Sequence, residues 1–351
     1  MPGLTALRGG RRELAARWRA TLAEYALGVT WSADGRWLAA GTTAGEVTVF
    51  DGDTGAVAWS RLVHPEGMCA LAFAAADASA LATGGMDGTA RLLDAADGRE
   101  RASLPNGGAW VEHVAWSPDG RWLATGAGRV LRLWSAAGEP WLETPAQEST
   151  LTGVAWRGDG REVATACYGG ARLWGMAERG SSRQLEWKGS LVSVAWSPDG
   201  AVLACGSQDC SVHFWRVATD VDSEMTGYPL KVRSLAWDGA STLLATSGDV
   251  DVTVWRFEGR GPEGSKPVTL KGHEGPVTAL AFQRRGGLLA SGGADGVVAL
   301  WEPRRGPSPR SAGFGVEGTA VGEVAAVAWR PDGRSIASAD ATGVVTVWAA
   351  G

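Results

Sequence analysis

The sequence predicts an all-β fold, an eight-bladed β-propeller with four antiparallel strands in each blade. Three observations predict it: a recurring unit of three short strands, a spacing of about forty to forty-seven residues between copies, and a further strand-like segment beside each copy. The clearest copy is TALAFQRRGGLLASGGADGVVALWE, residues 278–302. An apolar strand ends in an aromatic residue, a strand of small and apolar residues follows a turn, and a third strand ends in Trp.

Aromatic residues at the ends of strands align the copies. The first strands end at Trp31, Phe73, Trp116, Trp156, Trp196, Trp237, Phe282 and Trp329. The third strands end at Phe50, Leu93, Trp134, Trp174, Trp215, Trp255, Trp301 and Trp348. The alignment therefore indicates eight copies of a three-strand unit.

A fourth strand is predicted between successive copies. The candidates are Val57–Leu62, Arg99–Leu104, Pro140–Thr144, Arg183–Trp187, Glu224–Tyr228, Pro267–Lys271 and Ser311–Thr319. The eighth candidate precedes the first copy, at Ala15–Leu22, and we expect it to pair with Val344–Trp348 in the last blade. Closing the ring in this way removes an exposed sheet edge, which would otherwise invite aggregation.

Turn residues and the chain start complete the domain prediction. Segments such as Ser32–Gly35 and Ser117–Gly120 (SADG and SPDG) are typical of tight hairpins, because Gly accepts a positive φ and Pro presets the first turn angle. Residues 1–14 are rich in Gly and Arg and are predicted to be a flexible tail. Residues 15–351 are predicted to form a single propeller domain.

Composition narrows the classes of partner and the compartment. The net charge is −5, which does not suggest bulk affinity for nucleic acid. The four cysteines are widely spaced, which favours a reducing compartment, and no apolar stretch resembles a signal peptide or a membrane span. We expect a cytoplasmic monomer without membrane contact. Arginine greatly outnumbers lysine, which is typical of a GC-rich bacterial genome.

The copies resemble the repeats of the WD-repeat β-propeller family, over nearly the whole chain. The seventh copy carries the family's full set of polar positions: His273 before the first strand, Ser291, Asp295 and Trp301. The second copy keeps His64, Thr83 and Asp87 but has Leu93 in place of the Trp. The resemblance implies a rigid ring that binds other proteins. Most rings of the family have seven blades, so eight would be a departure.

His273, Ser291 and Asp295 also have the residue types of a hydrolytic triad. The resemblance implies instead a buried network in which Asp295 accepts hydrogen bonds from His273, Ser291 and the Trp301 indole. Buried polar groups need such partners, and no nucleophile-elbow sequence is present. An enzyme would need paired acids facing the channel, and Glu112 is the one obvious candidate. We therefore predict a protein that is not an enzyme.

A second cluster combines potential metal ligands from the second, third and fourth copies. Its members are His64, Cys69, Glu112, His113 and Cys167. Thiol and imidazole ligands suit zinc and other transition metals, but the spacing matches no known ligand pattern. We predict no metal and no cofactor. A metal-binding or metal-homeostasis accessory module remains the alternative function.

Large or charged residues occur in the loops that lead into first strands and in one turn between second and third strands. They are Trp110, Glu112, Tyr168, Trp187, Lys188, Tyr228, Lys231, Arg233 and Glu323. The resemblance implies that these connections meet at one end of the ring, here called the top face. Aromatic and arginine side chains there are typical of protein-binding surfaces. The sequence thus predicts a non-catalytic scaffold that binds a protein or peptide on the top face. Alternatively, Trp110 and Trp187 cover blade edges.

Overall fold

The computed structural model describes residues 12–259, 261–305 and 316–350. In chain order, the strands begin with β1 (Arg12–Glu13), β2 (Ala16–Thr21), β3 (Ala26–Trp31), β4 (Trp37–Thr42), β5 (Glu46–Asp51), β6 (Val57–Leu62), β7 (Met68–Phe73), β8 (Ala80–Gly85), β9 (Thr89–Asp94) and β10 (Glu100–Pro105). There follow β11 (Val111–Trp116), β12 (Trp122–Ala127), β13 (Val130–Ser135), β14 (Pro140–Glu143), β15 (Gly153–Trp156), β16 (Glu162–Gly175), β17 (Ser182–Trp196), β18 (Val202–Ser207), β19 (Val212–Arg216) and β20 (Val221–Met225).

The remaining strands are β21 (Leu235–Trp237), β22 (Leu243–Thr246), β23 (Val252–Arg256), β24 (Val268–Leu270), β25 (Val277–Phe282), β26 (Leu289–Gly293), β27 (Val297–Trp301), β28 (Val316–Thr319), β29 (Val324–Trp329), β30 (Ser335–Asp340) and β31 (Val344–Ala349). A single 3-10 turn, Pro303–Arg305, interrupts the strands of the described chain. Across the described ranges, no helix has the length and apolar character needed to cross a membrane.

The strands form an all-β propeller of seven hydrogen-bonded sheets, so the prediction of eight separate four-stranded blades is wrong. Five sheets have four strands, one has five and one has six. The fourth and fifth copies of the repeat share the six-stranded sheet. Counted by sheet, the ring therefore has seven blades, one of which carries two copies.

The six-stranded sheet arises because β17 runs without a break from the outer edge of the fourth copy into the inner strand of the fifth. Its first half pairs with β16, from Ser182 opposite Trp174, and its second half pairs with β18, up to Trp196 opposite Leu203. Between the halves lies Lys188-Gly189-Ser190, and Ser190 pairs with Tyr168. This connection lacks the Pro or paired Gly that turns the chain before the second and third inner strands, so pairing continues through it.

The five-stranded sheet also departs from the prediction. The two-residue strand β1 pairs in parallel with β28, at the outer edge of the sheet of the seventh copy. The next residue, Leu14, is buried in the core between the seventh and eighth copies. Residues 1–11 of the predicted tail lie outside the described residues, as does the first half of the predicted strand Ser311–Thr319.

The predicted closure of the ring is present. Strand β2 pairs antiparallel with β31, from Ala16 opposite Trp348 to Thr21 opposite Val344. The two ends of this pairing are extended by backbone hydrogen bonds, one of them from Ala349 to Ala15 at 2.8 Å. The first strand of the ring and the last strand of the chain therefore lie in one sheet.

The core lies between neighbouring sheets. The inner strands β3, β7, β11, β15, the second half of β17, β21, β25 and β29 each contact the next around the ring, and β29 contacts β3. The middle strands are almost wholly buried and consist of small and branched apolar residues, such as Leu38, Ala39 and Ala40 in β4. Small side chains let adjacent sheets approach closely, and burial of this apolar surface is the main stabilising term.

Candidate functional site

The inner strands share one irregular position near their start. Six of them shift register at the same point, four residues before the closing aromatic, and such bulges re-aim a side chain. The residues at this point are Leu27, Cys69, Glu112, Val192, Thr278 and Ala325. Thr152 and Arg233 hold the same position in the other two copies. Glu112 and Arg233 are the charged members of this set, and both are exposed.

A cavity of about 730 Å³ opens beside Arg233 and is here called the top cavity. The fifth to eighth copies line it with Cys210, Pro229, Leu230, Lys231, Arg233, Ser247, Gly248, Pro276, Val277, Thr278, Glu323 and Ala325. Three of the predicted face residues, Lys231, Arg233 and Glu323, thus meet at one opening. Apolar and charged side chains share its walls, which is the usual make-up of a binding pocket.

Tyr228 was predicted to be exposed for partner binding, and the structure shows that this is wrong. The side chain is 9% exposed, and its hydroxyl accepts a hydrogen bond from the Trp255 indole at 2.6 Å and lies 2.8 Å from the Thr246 hydroxyl. Burial raises the pKa of this phenol to about 12, although the two hydrogen bonds oppose the shift. Tyr228 therefore anchors the loop that carries Pro229, Leu230 and Lys231.

Backbone hydrogen bonds hold the walls of the top cavity in place. Leu230 donates to the Gly248 carbonyl at 2.9 Å, and Val277 donates to the Asp249 carbonyl at 3.0 Å. Gly248 has φ +111°, and a Cβ there would lie 2.9 Å from Tyr228 and Val232. A side chain at this position would be strained and crowded, so glycine is required for the loop to pack.

Trp187 was also predicted to be a contact residue, but it packs inside the joined sheet. Its ring stacks on the buried His213 with 3.9 Å between centroids, and its indole nitrogen is buried without a hydrogen-bond partner. This matches the alternative in which the tryptophan covers a blade edge. The rest of the predicted set remains accessible: Trp110 (53%) and Tyr168 (55%), with Glu112, Lys188 and Arg233 exposed and Lys231 half-buried.

Three exposed apolar side chains of the top face were missed by the sequence reasoning. Tyr25 is 61% exposed, Leu230 is 44% exposed and Val321 is 65% exposed, all in loops that lead into inner strands. No shared position in the repeat marks them, because they lie at different distances before the closing aromatic of the inner strand. Together with Trp110 and Tyr168 they spread apolar surface around the channel mouth.

The polar network of the seventh copy is present, but its residues contact one another in a different sequence from the expected one. The Trp301 indole donates to Ser291 at 2.8 Å, Ser291 lies 2.7 Å from His273 Nε2, and His273 Nδ1 lies 3.1 Å from Asp295. Asp295 therefore contacts His273 but neither Ser291 nor Trp301. Ser291 is fully buried and accepts the indole N–H, so this triad of residue types cannot meet a substrate.

Asp295 also fixes the loop before the inner strand. Burial alone would raise the pKa of its carboxyl group, but hydrogen bonds from the backbone N–H groups of Glu274 and Val297, together with His273, hold that pKa below its usual value. The charged carboxylate thus acts as an acceptor for three donors. This is a structural role, as the family resemblance implied.

The second copy also has a histidine at the position of His273, and three other copies have Asn, Gln or Tyr there. Each contacts the buried Thr of its second strand: His64 with Thr83, Asn106 with Thr125, Gln147 with Thr165, and Tyr228 with Thr246. In the third and fourth copies the Thr also accepts the indole N–H of Trp134 or Trp174. Sequence reasoning missed Asn106 and Gln147. Most of these residues, although not Asn106, lie four positions before the first buried residue at the start of the inner strand, and this spacing could have identified them.

The candidate metal ligands each have another role. His64 bonds Thr83 and Asp87, His113 lies 3.1 Å from the Leu151 carbonyl, and Cys167 lies near Gln147 and the Tyr168 carbonyl. Cys69 lies beside Glu112, and burial followed by that carboxylate raises the pKa of its thiol. Over the part of the chain that the structure describes, no three His, Cys, Asp or Glu side chains converge as a metal site.

Comparison with protein families identifies the repeats. The family model described as WD domain, G-beta repeat matches residues 98–135, 182–216 and 264–302. The chain therefore contains WD repeats in its third, fifth and seventh copies. The second of these matches includes the strand that joins the fourth and fifth copies.

Similar proteins include Coronin-7 of Mus musculus, with 31% identity over 126 residues, which is 33% of this chain and 13% of that protein. The anaphase-promoting complex subunit cdc20 of Dictyostelium discoideum is 33% identical over 101 residues (28% and 19%), and THO complex subunit 3 of Arabidopsis thaliana is 38% identical over 86 residues (24% and 27%). The chain thus covers between 13% and 27% of the length of these relatives.

A solved structure extends the likeness to the whole fold. The computationally designed Ika8 protein superposes with a TM-score of 0.78 at 21% identity, covering 94% of this chain and 97% of that one. At this level of identity the likeness concerns the fold alone.

Proposed function

Because this chain contains WD repeats, we propose that it is a non-catalytic scaffold that binds a protein or peptide partner on its top face. The observation that carries the proposal is the top cavity, where Lys231, Arg233 and Glu323 meet exposed apolar side chains at the channel mouth. Two of the similar proteins are named as subunits of protein complexes, which supports a partner of the same class.

The rigid ring would favour binding by holding the top loops in a fixed conformation. The top loops are tied to buried strands by side chains such as Tyr228 and His273, so their conformation is set before a partner arrives. A prearranged surface binds with little loss of conformational entropy. The exposed aromatic rings of Trp110 and Tyr168 supply the type of contact that contributes most to protein interfaces.

We also propose a monomer in the cytoplasm. Cys69, Cys167, Cys205 and Cys210 are all free thiols, which suits a reducing compartment. The net charge of −5 supports a protein partner over a nucleic acid.

Site-directed photo-crosslinking in cells tests the top face. A photoreactive phenylalanine placed at Trp110, Tyr168 or Leu230 should form adducts with a protein partner. The same residue at Val57 is the control, because Val57 is 58% exposed but lies on an outer edge strand. Adducts from Val57 with none from the three top positions would contradict the proposal.

A further inference from the structure

The top cavity has a chemistry that specifies its occupant more closely than the fold does. Resting on the proposed function, we propose that it binds a peptide segment in which a carboxylate side chain lies next to an apolar side chain. The carboxylate contacts Lys231 and Arg233, and the apolar side chain packs against Leu230 and Pro276.

Lys231 and Arg233 form a pair of cations on one wall. They flank Val232, which is fully buried, whereas Lys231 is half-buried, Arg233 is exposed, and both line the top cavity. In the part of the chain that the structure describes, neither cation has an ion-pair partner, whereas Arg91, Arg132 and Arg183 each pair with a carboxylate. Two adjacent unpaired cations in a chain of net charge −5 favour an acidic ligand, since charge-assisted hydrogen bonds are the stronger ones.

The apolar part of the site lies beside the cations. Leu230 is 44% exposed, and Pro229, Pro276 and Val277 continue the apolar lining. The volume of about 730 Å³ falls within the range of about 300–1,000 Å³ that is usual for ligand pockets. A few side chains of a peptide would fill it, whereas a folded domain would have to insert a loop.

Glu323, on the wall contributed by the eighth copy, argues against a purely anionic ligand. Its carboxylate is exposed and faces the same cavity as the two cations. A nucleic acid or a free polyphosphate would meet repulsion there, whereas a peptide can present backbone N–H donors to it. The walls therefore match the mixed polarity of an acidic peptide.

The loop that carries Lys231 and Arg233 has a fixed conformation before a peptide binds. The Tyr228 hydroxyl is fixed by Trp255 and Thr246, and Leu230 donates to the Gly248 carbonyl. The pyrrolidine rings of Pro229 and Pro276 restrict φ at both rims. Little conformational freedom remains for the ligand to remove.

Selection from a library of short random peptides displayed on phage, performed on the full chain, tests the proposal. We expect enrichment of peptides with Asp or Glu adjacent to Leu, Ile, Val or Met. The double variant Lys231→Glu with Arg233→Glu should bind the selected peptides at least about tenfold more weakly, and binding to the wild type should weaken with added salt. The matched control is Arg161→Glu, a charge reversal at an exposed arginine on the opposite end of the ring.

The half-buried thiol of Cys210 gives a second measurement at the same site. It lines the cavity, while the other half-buried thiol, Cys69, belongs to the second copy and is not among the residues that line the cavity. A selected peptide should slow alkylation of Cys210 by iodoacetamide and leave the rate at Cys69 unchanged, as read by mass spectrometry. The Cys210→Ser variant should lack the alkylated product that is assigned to Cys210.

The outcomes separate this inference from the proposed function. Enrichment of basic peptides, no enrichment at all, or binding that the double variant retains would overturn the inference. If selected peptides instead lose binding on Trp110→Ala or Tyr168→Ala, the top face still binds a partner but the top cavity does not. Preferential binding of single-stranded DNA over the acidic peptides would also overturn it.

Discussion

The indole nitrogen of Trp31 lies 3.1 Å from the carbonyl oxygen of Ala328, a residue 297 positions later in the chain. This hydrogen bond joins the first inner strand to the last one. The same bond links other neighbours: Trp116 to Ala72, Trp156 to Ala115, Trp196 to Ala155 and Trp329 to Ala281. The aromatic residue used to align the copies is therefore also a link between inner strands.

Replacement of this indole tests the link where the ring closes. Trp31→Phe should lower the free energy of unfolding by about 1 kcal/mol more than Trp237→Phe, as measured by urea denaturation. Trp237 is the matched control because it is equally buried but its indole nitrogen has no hydrogen-bond partner. Phe73 and Phe282 already occupy this position in two copies, so both variants should fold. Equal losses would contradict the link.

Tyr228 should contribute stability through its hydroxyl. Tyr228→Phe leaves the buried Trp255 indole without an acceptor, and we expect a loss of about 1–3 kcal/mol in the free energy of unfolding. Tyr25→Phe is the control, since Tyr25 is 61% exposed and should lose almost nothing. A Tyr228→Phe variant as stable as the wild type would show that the hydroxyl contributes nothing to stability.

The network of the seventh copy should cost more to break than its counterpart in the eighth. Ser291→Ala removes a partner from both Trp301 and His273, whereas Ser338→Ala removes one from Trp348 alone. Both serines are buried, so we expect Ser291→Ala to destabilise the protein by about 1 kcal/mol more. Calorimetric melting of the two variants measures the difference. An equal effect would mean that the histidine bond adds nothing.

Stability should fall as the pH drops below about 6.5, because buried histidines resist protonation. Burial lowers the pKa of His213, although Asp222, Glu224 and Asp209 act in the opposite direction. Its Nε2 lies 3.2 Å from Asp222 but outside hydrogen-bonding geometry, and Cys205 is its neighbour on β18. The unfolded chain therefore binds more protons in this range, so full stability is present above pH 6.5 and is lost toward acid.

His213→Phe tests this origin. The ring would still stack between Trp187 and Trp215, but the titrating group is gone. We expect a shallower fall of the unfolding free energy between pH 7 and pH 5, by at most about 1.4 kcal/mol per pH unit for one histidine. Burial also lowers the pKa of His64 and His113, so some pH dependence should remain. An unchanged slope would exclude His213.

The repeat pattern predicted the strands well because it reports burial, which is local in sequence. The predicted strand Val57–Leu62 and the closure by Ala15–Leu22 agree with β6 and β2 within one residue at each end. The division into sheets could not be predicted in this way. Whether Lys188–Ser190 turns or continues a ladder depends on pairing with Tyr168 across the sheet, which leaves no mark in the hydrophobic pattern.

The binding face was predicted less completely, for a similar reason. Lys231 and Arg233 were identified because charged residues near a strand start are seldom buried. Tyr228 and Trp187 were misplaced because an aromatic side chain serves equally as a contact or as a buried anchor. Only its partners, the Thr246 hydroxyl and the His213 ring, decide between these roles.

Hydrogen–deuterium exchange of the full chain tests closure of the ring most directly. We predict that the backbone amides of residues 16–21 exchange as slowly as those of residues 344–349, because the two strands share one ladder. Fast exchange over residues 16–21, beside protected residues 344–349, would show that β2 does not close the ring.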